Sequence, residues 1–278
     1  MNSCCFASVI FEGNLPYLKD FLKSLQDQSD TDFTLLLFND GVKSLDTYLA
    51  TYNLPYQIID VSGTIAAVRE YMLLYLQSSS FDLVVFGDTD DFFATNRVAI
   101  SKALLQEYEI ITTDVWLVNE AGELLKEGFW ANREELRKGI SYKTIRFYNV
   151  FGLGNTAMQI SKLPKKLTIP ENLVAVDWYV FSLVLKKKAK AYFTNKTHVF
   201  YRQYKGNTIG LKKLTLQRFK SEAVVKLQHY KAMAVIDAEF NSLVSKYEGF
   251  LASLDQITEE QLVTHSIEEE HPFWWEQV

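Results

Sequence analysis

Four apolar residues in succession, Leu83-Val84-Val85-Phe86, run straight into Gly87-Asp88-Thr89-Asp90-Asp91. A run this short, with two β-branched residues and no polar alternation, predicts a strand buried on both faces, the usual state of a parallel strand between helical layers. If the backbone stays extended past Gly87, side chains alternate, so Asp88 and Asp90 point to one side and Thr89 and Asp91 to the other. Two carboxylates in one small space repel unless a cation or a hydrogen-bonding ligand offsets them. A hard divalent ion held by one or two carboxylates, phosphate oxygens and water is the common solution. Ligand sites of open α/β sheets also lie beyond the carboxyl ends of their strands. The plainer alternative is a solvated acidic turn closing the strand, since Asp is common in turns.

The segments before this turn repeat one pattern. Phe6 to Phe11 is apolar and suits a first strand, and Leu18, Phe21, Leu22 and Leu25 follow at helical spacing. Asn14 is a candidate N-cap for that helix, with Pro16 tolerated in its first turn. A second buried strand, Phe33 to Phe38, ends in Asn39-Asp40-Gly41, and a third runs from Tyr56 to Val61. Thr64 to Leu76 is helical by spacing and carries Arg69 and Glu70. Strand, helix, strand, repeated, argues for an α/β fold with a mainly parallel sheet between helices and right-handed crossovers. Asp40 and Asp88 then stand at the same sheet edge.

After the acidic turn, Val98 to Leu105 predicts a helix and Ile110 to Val118 a strand, closed by Asn119-Glu120-Ala121-Gly122. Residues 128–138 read as a charged, helical insert, and Thr144 to Leu153 as extended. Gly152-Leu153-Gly154 signals a bend or a close backbone approach, because no strand-turn-helix fingerprint surrounds it. Leu173 to Leu185 is nearly all apolar, with Asp177 its one charge and Pro170-Glu171 upstream marking a helix start. Asp177 in a first turn would have its ionised form favoured by the helix dipole. Beside it, Trp178 suits either a core or a platform for a sugar ring.

Val199-Phe200-Tyr201-Arg202-Gln203-Tyr204-Lys205-Gly206-Asn207-Thr208-Ile209-Gly210 reads as a polar, aromatic and basic loop after a short strand. Two cations in a glycine-bearing loop can close over a diphosphate, as active-site lids do. Apolar spacing from Phe219 to Leu254 predicts two further helices, with an aromatic and acidic tail ending in Phe273-Trp274-Trp275. The domain reading is a main unit over residues 1–210 and a C-terminal helical appendage over 211–278.

With 278 residues and a formal charge of -5, the chain can bury a large core, and it lacks the long basic run of a protein that neutralises many nucleic-acid phosphates. Its two cysteines, Cys4 and Cys5, are adjacent, which suits neither a disulfide framework nor a zinc pattern. The four histidines, His198, His229, His265 and His271, show no metal-ligand spacing and read as surface or loop residues. No signal-peptide pattern and no run of roughly 18 apolar residues is present, so a cytoplasmic protein is expected. Lys186 to Lys188 with Lys190 suit a helix end, with a membrane-surface patch as the secondary reading.

Several of these segments together resemble family 2 glycosyltransferases, the inverting nucleotide-sugar enzymes with the GT-A fold, over about residues 3 to 210. Asn14 to Leu18 with Ser24 to Gln28 resembles that family's first helix, and Asn39-Asp40-Gly41 its acid-glycine turn. Ala67-Val68-Arg69 and Phe86-Gly87-Asp88-Thr89-Asp90-Asp91 resemble the segments at its metal motif. Val176-Asp177-Trp178 falls where the family carries its catalytic acid. Tyr201 to Tyr204 with Asn207 and Gly210 is similar to a loop of bacterial rhamnosyltransferase-like members. Phe11, Glu70, Val176 and Tyr204 depart from the family pattern.

The resemblance implies that Asp40 hydrogen-bonds the nucleotide base and Asp88 approaches the ribose and the metal. It implies that Asp90 ligates Mg or Mn across the donor diphosphate, and that Asp177 is the general base. Arg69, Arg202 and Lys205 would lie near the donor, a UDP- or dTDP-sugar, and the acceptor would be a hydroxyl of a glycan or a lipid-linked saccharide. Two rivals stand beside it. A haloacid dehalogenase-like phosphatase also has Asp-x-Asp after an apolar strand, but near the chain start and followed by glycine and threonine. A GT-A-like domain can also persist as a binding or assembly module without catalysis.

Overall fold

The computed structural model describes residues 2–131, 133, 136, 139–204 and 215–254. Strands β1 (Cys4–Phe11), β2 (Thr34–Asp40), β3 (Tyr56–Asp60) and β4 (Leu83–Phe86) lie in the order β3-β2-β1-β4, all parallel. Beyond β4 the sheet turns mixed. β8 (Thr156–Gln159) runs antiparallel to β4, and β6 (Ile110–Val118) runs antiparallel to β8. β9 (Ala191–Arg202) lies parallel to β6, and the two-residue β5 (Phe92–Phe93) pairs antiparallel with β9. A short β7 (Leu124–Lys126) forms a hairpin with β6.

Both faces of the inner strands are buried, which is why they read as unbroken apolar runs rather than alternating ones. On one face Phe6, Ile10, Leu35, Leu37, Leu83 and Val85 pack with α1 (Leu18–Gln26), α2 (Leu45–Leu49) and α4 (Arg97–Leu104). The other face packs against α3 (Ile65–Ser78) and α5 (Val176–Lys186). The α1 stripe of Leu18, Phe21, Leu22 and Leu25 is wholly buried, as its spacing predicts. Helix α3 starts where Thr64 accepts a hydrogen bond from the Ala67 amide (3.2 Å), an N-cap.

Helices α6 (Leu216–Ala234) and α7 (Asn241–Leu254) lie where two helices were expected. Leu227, Tyr230, Met233 and Tyr247 join the same core as Trp178 of α5, so this layer backs the α5 side of the sheet. The tail, including Phe273, Trp274, Trp275, His265 and His271, lies outside the described residues, as does part of 128–138. Among the described residues no helix is long and apolar enough to cross a membrane.

Several expectations are corrected. Residues 144–153 are not a strand: a 3-10 turn at Thr144–Arg146 leads into irregular chain, and β8 begins only at Thr156. Asparagine side chains meet that loop's amides, with Asn149 accepting from Phe151 N–H (3.1 Å) and Asn155 from Gly152 N–H (2.7 Å). A loop whose donors are satisfied locally has no need of a strand partner. Asn14 is not an N-cap; it is buried in a 3-10 turn (Glu12–Tyr17) and donates to the Thr89 hydroxyl (2.8 Å). Arg202 is the last residue of a 12-residue strand and not a loop residue.

His198 and His229 are not surface or loop residues either. His198 lies on β9 stacked on Trp116 (3.8 Å between centroids), and His229 is wholly buried on α6 against Trp178 (4.0 Å). A neutral imidazole is flat and partly apolar, so aromatic stacking holds it as it would a small aromatic residue.

Gly87 joins the central strand to the acidic turn, and a Cβ there would sit 2.5 Å from Phe93 Cζ and 2.6 Å from Phe6 Cε1. Gly87→Ala is therefore expected to cost about 1–3 kcal/mol of stability through overpacking, read as a lower urea midpoint with an unchanged slope. An unaltered midpoint would show that the two rings move aside freely.

Candidate functional site

Three carboxylates follow β4 and each meets a different part of the fold. Thr89 between them is buried, its hydroxyl donating to Val9 O (3.0 Å) while accepting from Asn14. That anchor ties the middle of the turn to β1 and leaves Asp88 and Asp90 near enough for each charge to act on the other. Asp88 Oδ1 accepts from Arg69 Nη2 of α3 (3.2 Å). Asp90 Oδ2 accepts from the Tyr204 hydroxyl (2.9 Å). Burial, and then the charge of Asp88, push the Asp90 carboxyl up to about 6.

Asp91, unassigned from the sequence, is buried and accepts from the Arg202 amide (2.9 Å). Burial and the neighbouring Asp90 and Asp88 charges hold it well above the usual carboxylate range. Arg97 of α4 is fully buried nearby and donates to Thr113 Oγ1 (2.7 Å) and Phe86 O (3.2 Å). Burial lowers its guanidinium to about 9, against the opposing pull of Asp91.

Arg202 is pinned by protein groups. Its Nε donates to Asp90 O (2.8 Å), Nη1 to Glu120 O (2.6 Å) and Nη2 to Asp20 Oδ2 (2.7 Å), and its guanidinium lies over the Tyr17 ring at 4.9 Å. With only 1% of its surface exposed, it supports the acidic turn from behind. Lys205 lies outside the described residues.

Asp177 sits in the first turn of α5, partly buried, with Oδ1 accepting from the Trp178 amide (2.7 Å). Burial pushes its carboxyl up to about 6; the Asp88 charge adds to the rise, while Arg69 and the Asn149 side chain oppose it. Asp88, Arg69 and Asp177 therefore share one space. The 152–154 loop passes beside it. A Cβ on Gly154 would fall 2.9 Å from Asp88 Oδ2, and one on Gly152 3.9 Å from Asp177 Oδ2. Gly154 lets backbone approach the Asp88 carboxylate, the close approach that Gly152-Leu153-Gly154 suggested; at Gly152 a Cβ would crowd Asn155 Oδ1 (3.0 Å) and would meet Asp177 only at ordinary contact distance.

Asp40 lines a groove of about 840 Å³ with Asn39, Gly41, Asp60, Ala67, Glu70, Tyr71 and Leu74. Helix α3 joins the two regions, since Ala67, Glu70 and Tyr71 face the groove while Arg69 reaches Asp88. Glu70 also accepts the Ile169 amide, which ties the segment leading into α5 back to α3. Trp178 belongs to the core: it is wholly buried and its indole N–H donates to Ile145 O (2.6 Å).

Among the described residues no group of three or more His, Cys, Asp or Glu is arranged to hold a metal by itself. Asp88 and Asp90 nonetheless fit a hard divalent cation completed by diphosphate oxygens and water. They are oxygen donors, partly removed from solvent, and their mutual repulsion is what such an ion relieves. Asn149 and Asp91 are supporting residues that drew no role from the sequence; Asn14, read as an N-cap, and Tyr204, read as part of a donor-side loop, instead meet the acidic turn through Thr89 and Asp90.

No protein-family model matches the sequence, and no curated protein matches it. Solved structures do match in shape. TarS residues 1–349 of S. aureus in complex with UDP-GlcNAc aligns with a TM-score of 0.61 at 12% identity, over 88% of this chain and 71% of that one. The same protein in complex with UDP aligns at 0.59 and 12% identity, over 96% and 76%. The mannosyltransferase PcManGT from Pyrobaculum calidifontis, in complex with GDP-Man and Mn2+, aligns at 0.57 and 11% identity, over 90% and 70%. At such identities the likeness speaks for architecture, and the chain has a GT-A-like α/β fold with C-terminal helices.

The raised carboxyl of Asp90 has a consequence for stability. An unfolded aspartate ionises near pH 3.9 and the folded one near 6, so between those values the folded chain holds a proton that the unfolded chain has released. Stability therefore falls as pH rises from about 4 to about 6 and stays lowered above that. Asp90→Asn should raise the melting temperature at pH 8, with the gain shrinking toward pH 4, as calorimetry without nucleotide would read. A gain equal at both pH values would refute a raised Asp90.

Proposed function

We propose that this protein is a glycosyltransferase moving a sugar from a nucleotide-diphosphate donor to an acceptor hydroxyl. The observation that carries the reading is the meeting of Asp177 with Asp88 and Arg69 at the carboxyl ends of parallel strands. An acid for taking a proton there stands beside acids suited to a cation-bridged diphosphate. Solved neighbours bound to UDP, UDP-GlcNAc and GDP-Man support the donor class.

In this reading Asp40 faces the base in the α3 groove, Asp88 approaches the ribose and Arg69 orients Asp88 from α3. Asp90, with Asp88, holds Mg or Mn against the diphosphate. Charge neutralisation on the departing diphosphate is what the bound cation supplies. Arg202 acts from behind by fixing Asp90 and Asp91, and Lys205 is assigned to the donor side from the sequence alone. UDP- and dTDP-sugars are the donors proposed, and a glycan or a lipid-linked saccharide supplies the hydroxyl.

Asp177 acts as general base. Its carboxylate takes the acceptor O–H proton as the oxygen forms a bond to the anomeric carbon, and the carbon–oxygen bond to the diphosphate breaks with its electron pair leaving on phosphate. One displacement from the opposite face inverts the anomeric centre. A base tuned to about 6 is mostly ionised at neutral pH while still a better proton acceptor than an ordinary aspartate.

Asp177→Asn is expected to leave nucleotide binding within about twofold while turnover falls on the order of a hundred- to ten-thousandfold. Asp90→Ala should instead abolish the Mn2+-dependent part of nucleotide binding. Calorimetry with UDP and Mn2+, run beside an assay of nucleotide release from a panel of sugar donors, separates the two; equal binding loss in both variants would overturn the division of roles. The wild-type rate should also fall as pH drops through about 6, because the base must be ionised. A rate flat from pH 7 to 5 contradicts Asp177 as base.

A further inference from the structure

We infer that Tyr204 is a positioning residue for the Asp90 carboxylate, setting which of its lone pairs face a divalent cation; the inference rests on the glycosyltransferase reading above. The Tyr204 hydroxyl donates to Asp90 Oδ2 at 2.9 Å. An ionised carboxylate offers about four lone-pair sites, so one hydroxyl on Oδ2 occupies a single site and leaves the others for a metal. What it removes is freedom of rotation about the side chain.

The donor is itself held. The Tyr204 ring lies 4.7 Å from that of Tyr17, which is buried, and the Tyr17 hydroxyl donates to Glu120 Oε1 (2.9 Å). Arg202 lies over the Tyr17 ring and, two residues before Tyr204, its Nε grips the Asp90 carbonyl. Asp90 is thus held twice from one stretch of chain, at its backbone by Arg202 and at its carboxylate by Tyr204. Hydrogen-bonded partners of metal-ligating groups orient those ligands, and losing one typically costs about 10–100-fold in metal affinity. Sequence reasoning placed residues 201–204 near the donor as a loop; this contact gives one of them a specific task.

The test is Tyr204→Phe, which keeps the ring and its packing on Tyr17 and deletes only the donor. Mn2+ affinity in the presence of saturating UDP, followed by the electron paramagnetic resonance of free Mn2+, should weaken by about tenfold or more. The affinity for UDP without metal should stay close to wild type, and the melting temperature without ligands should fall by a few degrees at most, the loss of one hydroxyl donor. Tyr75→Phe, which deletes a hydroxyl reaching Gln57 and no residue of the acidic turn, serves as the control and should keep Mn2+ affinity within about twofold of wild type. Unchanged Mn2+ affinity in Tyr204→Phe, or equal weakening in Tyr75→Phe, overturns the assignment while leaving the glycosyltransferase reading in place. Absence of any Mn2+-dependent nucleotide binding in the wild-type protein, with UDP, dTDP and GDP, overturns both.

Discussion

Like charges at the end of β4 are the constraint around which this molecule is arranged. Asp88, Asp90 and Asp91 occupy four consecutive positions with Thr89, and Asp91 has 1% of its surface exposed. At an effective dielectric near 20, two unit charges 4 Å apart interact by about 4 kcal/mol, a large fraction of the stability of a whole domain. The turn is tolerable only where other elements bring counter-charge and donors to it. Arg69 comes from α3, Arg97 from α4, and Arg202 with Tyr204 from β9 and the residues after it. Each of those elements must dock before the turn is settled, so the acidic turn and the packing of the sheet are one problem.

Asp177 follows a different logic. Its carboxylate is bonded by a backbone amide of its own helix turn and by Asn149, and burial raises its proton affinity while the nearby Asp88 charge adds to the effect. The result is a group at about 6 beside a cluster that invites a cation. Asp90 is raised to the same value by the same chief cause, burial, so the two acids differ in their partners, Tyr204 for one and the Trp178 amide for the other. Helix α3 links them, since Arg69 faces Asp88 while Glu70 holds the segment that leads into α5. Behind α5, Trp178 is stacked on His229 of α6, so the C-terminal layer buttresses the helix that carries the proposed base.

Much of the architecture is visible in the chain. The runs 4–11, 34–40 and 83–86 are apolar on both faces because helices cover both, and the stripe at Leu18, Phe21, Leu22 and Leu25 has the period of the helix it forms. Thr64 marks a helix start through a hydrogen bond three residues long. Residues 144–153 misled because Phe147, Tyr148, Val150 and Phe151 have strand-like composition, while Asn149 and Asn155 satisfy the loop's amides locally. Arg202 misled in the opposite sense: charge and nearby glycine suggested a loop, yet strand pairing carries β9 through it.

What the order of residues determined by itself is whatever acts over a few positions. That covers the strand and helix periods and the clustering of acids at strand ends where an α/β sheet presents its ligands; it does not cover the inward placement of Thr89, because the chain turns after Gly87, with Asp91 N–H donating to Asp88 O (3.2 Å), and the alternation of an extended backbone does not hold there. What only the tertiary structure decided is which distant groups face those acids. Arg202 reaches Asp20 across 182 positions, Tyr204 reaches Asp90 across 114, and Asn14 reaches Thr89 across 75. Such meetings leave no local pattern, because they depend on the strand order β3-β2-β1-β4-β8-β6-β9-β5. Burial set by that order then raises the proton affinity of Asp90, Asp91 and Asp177.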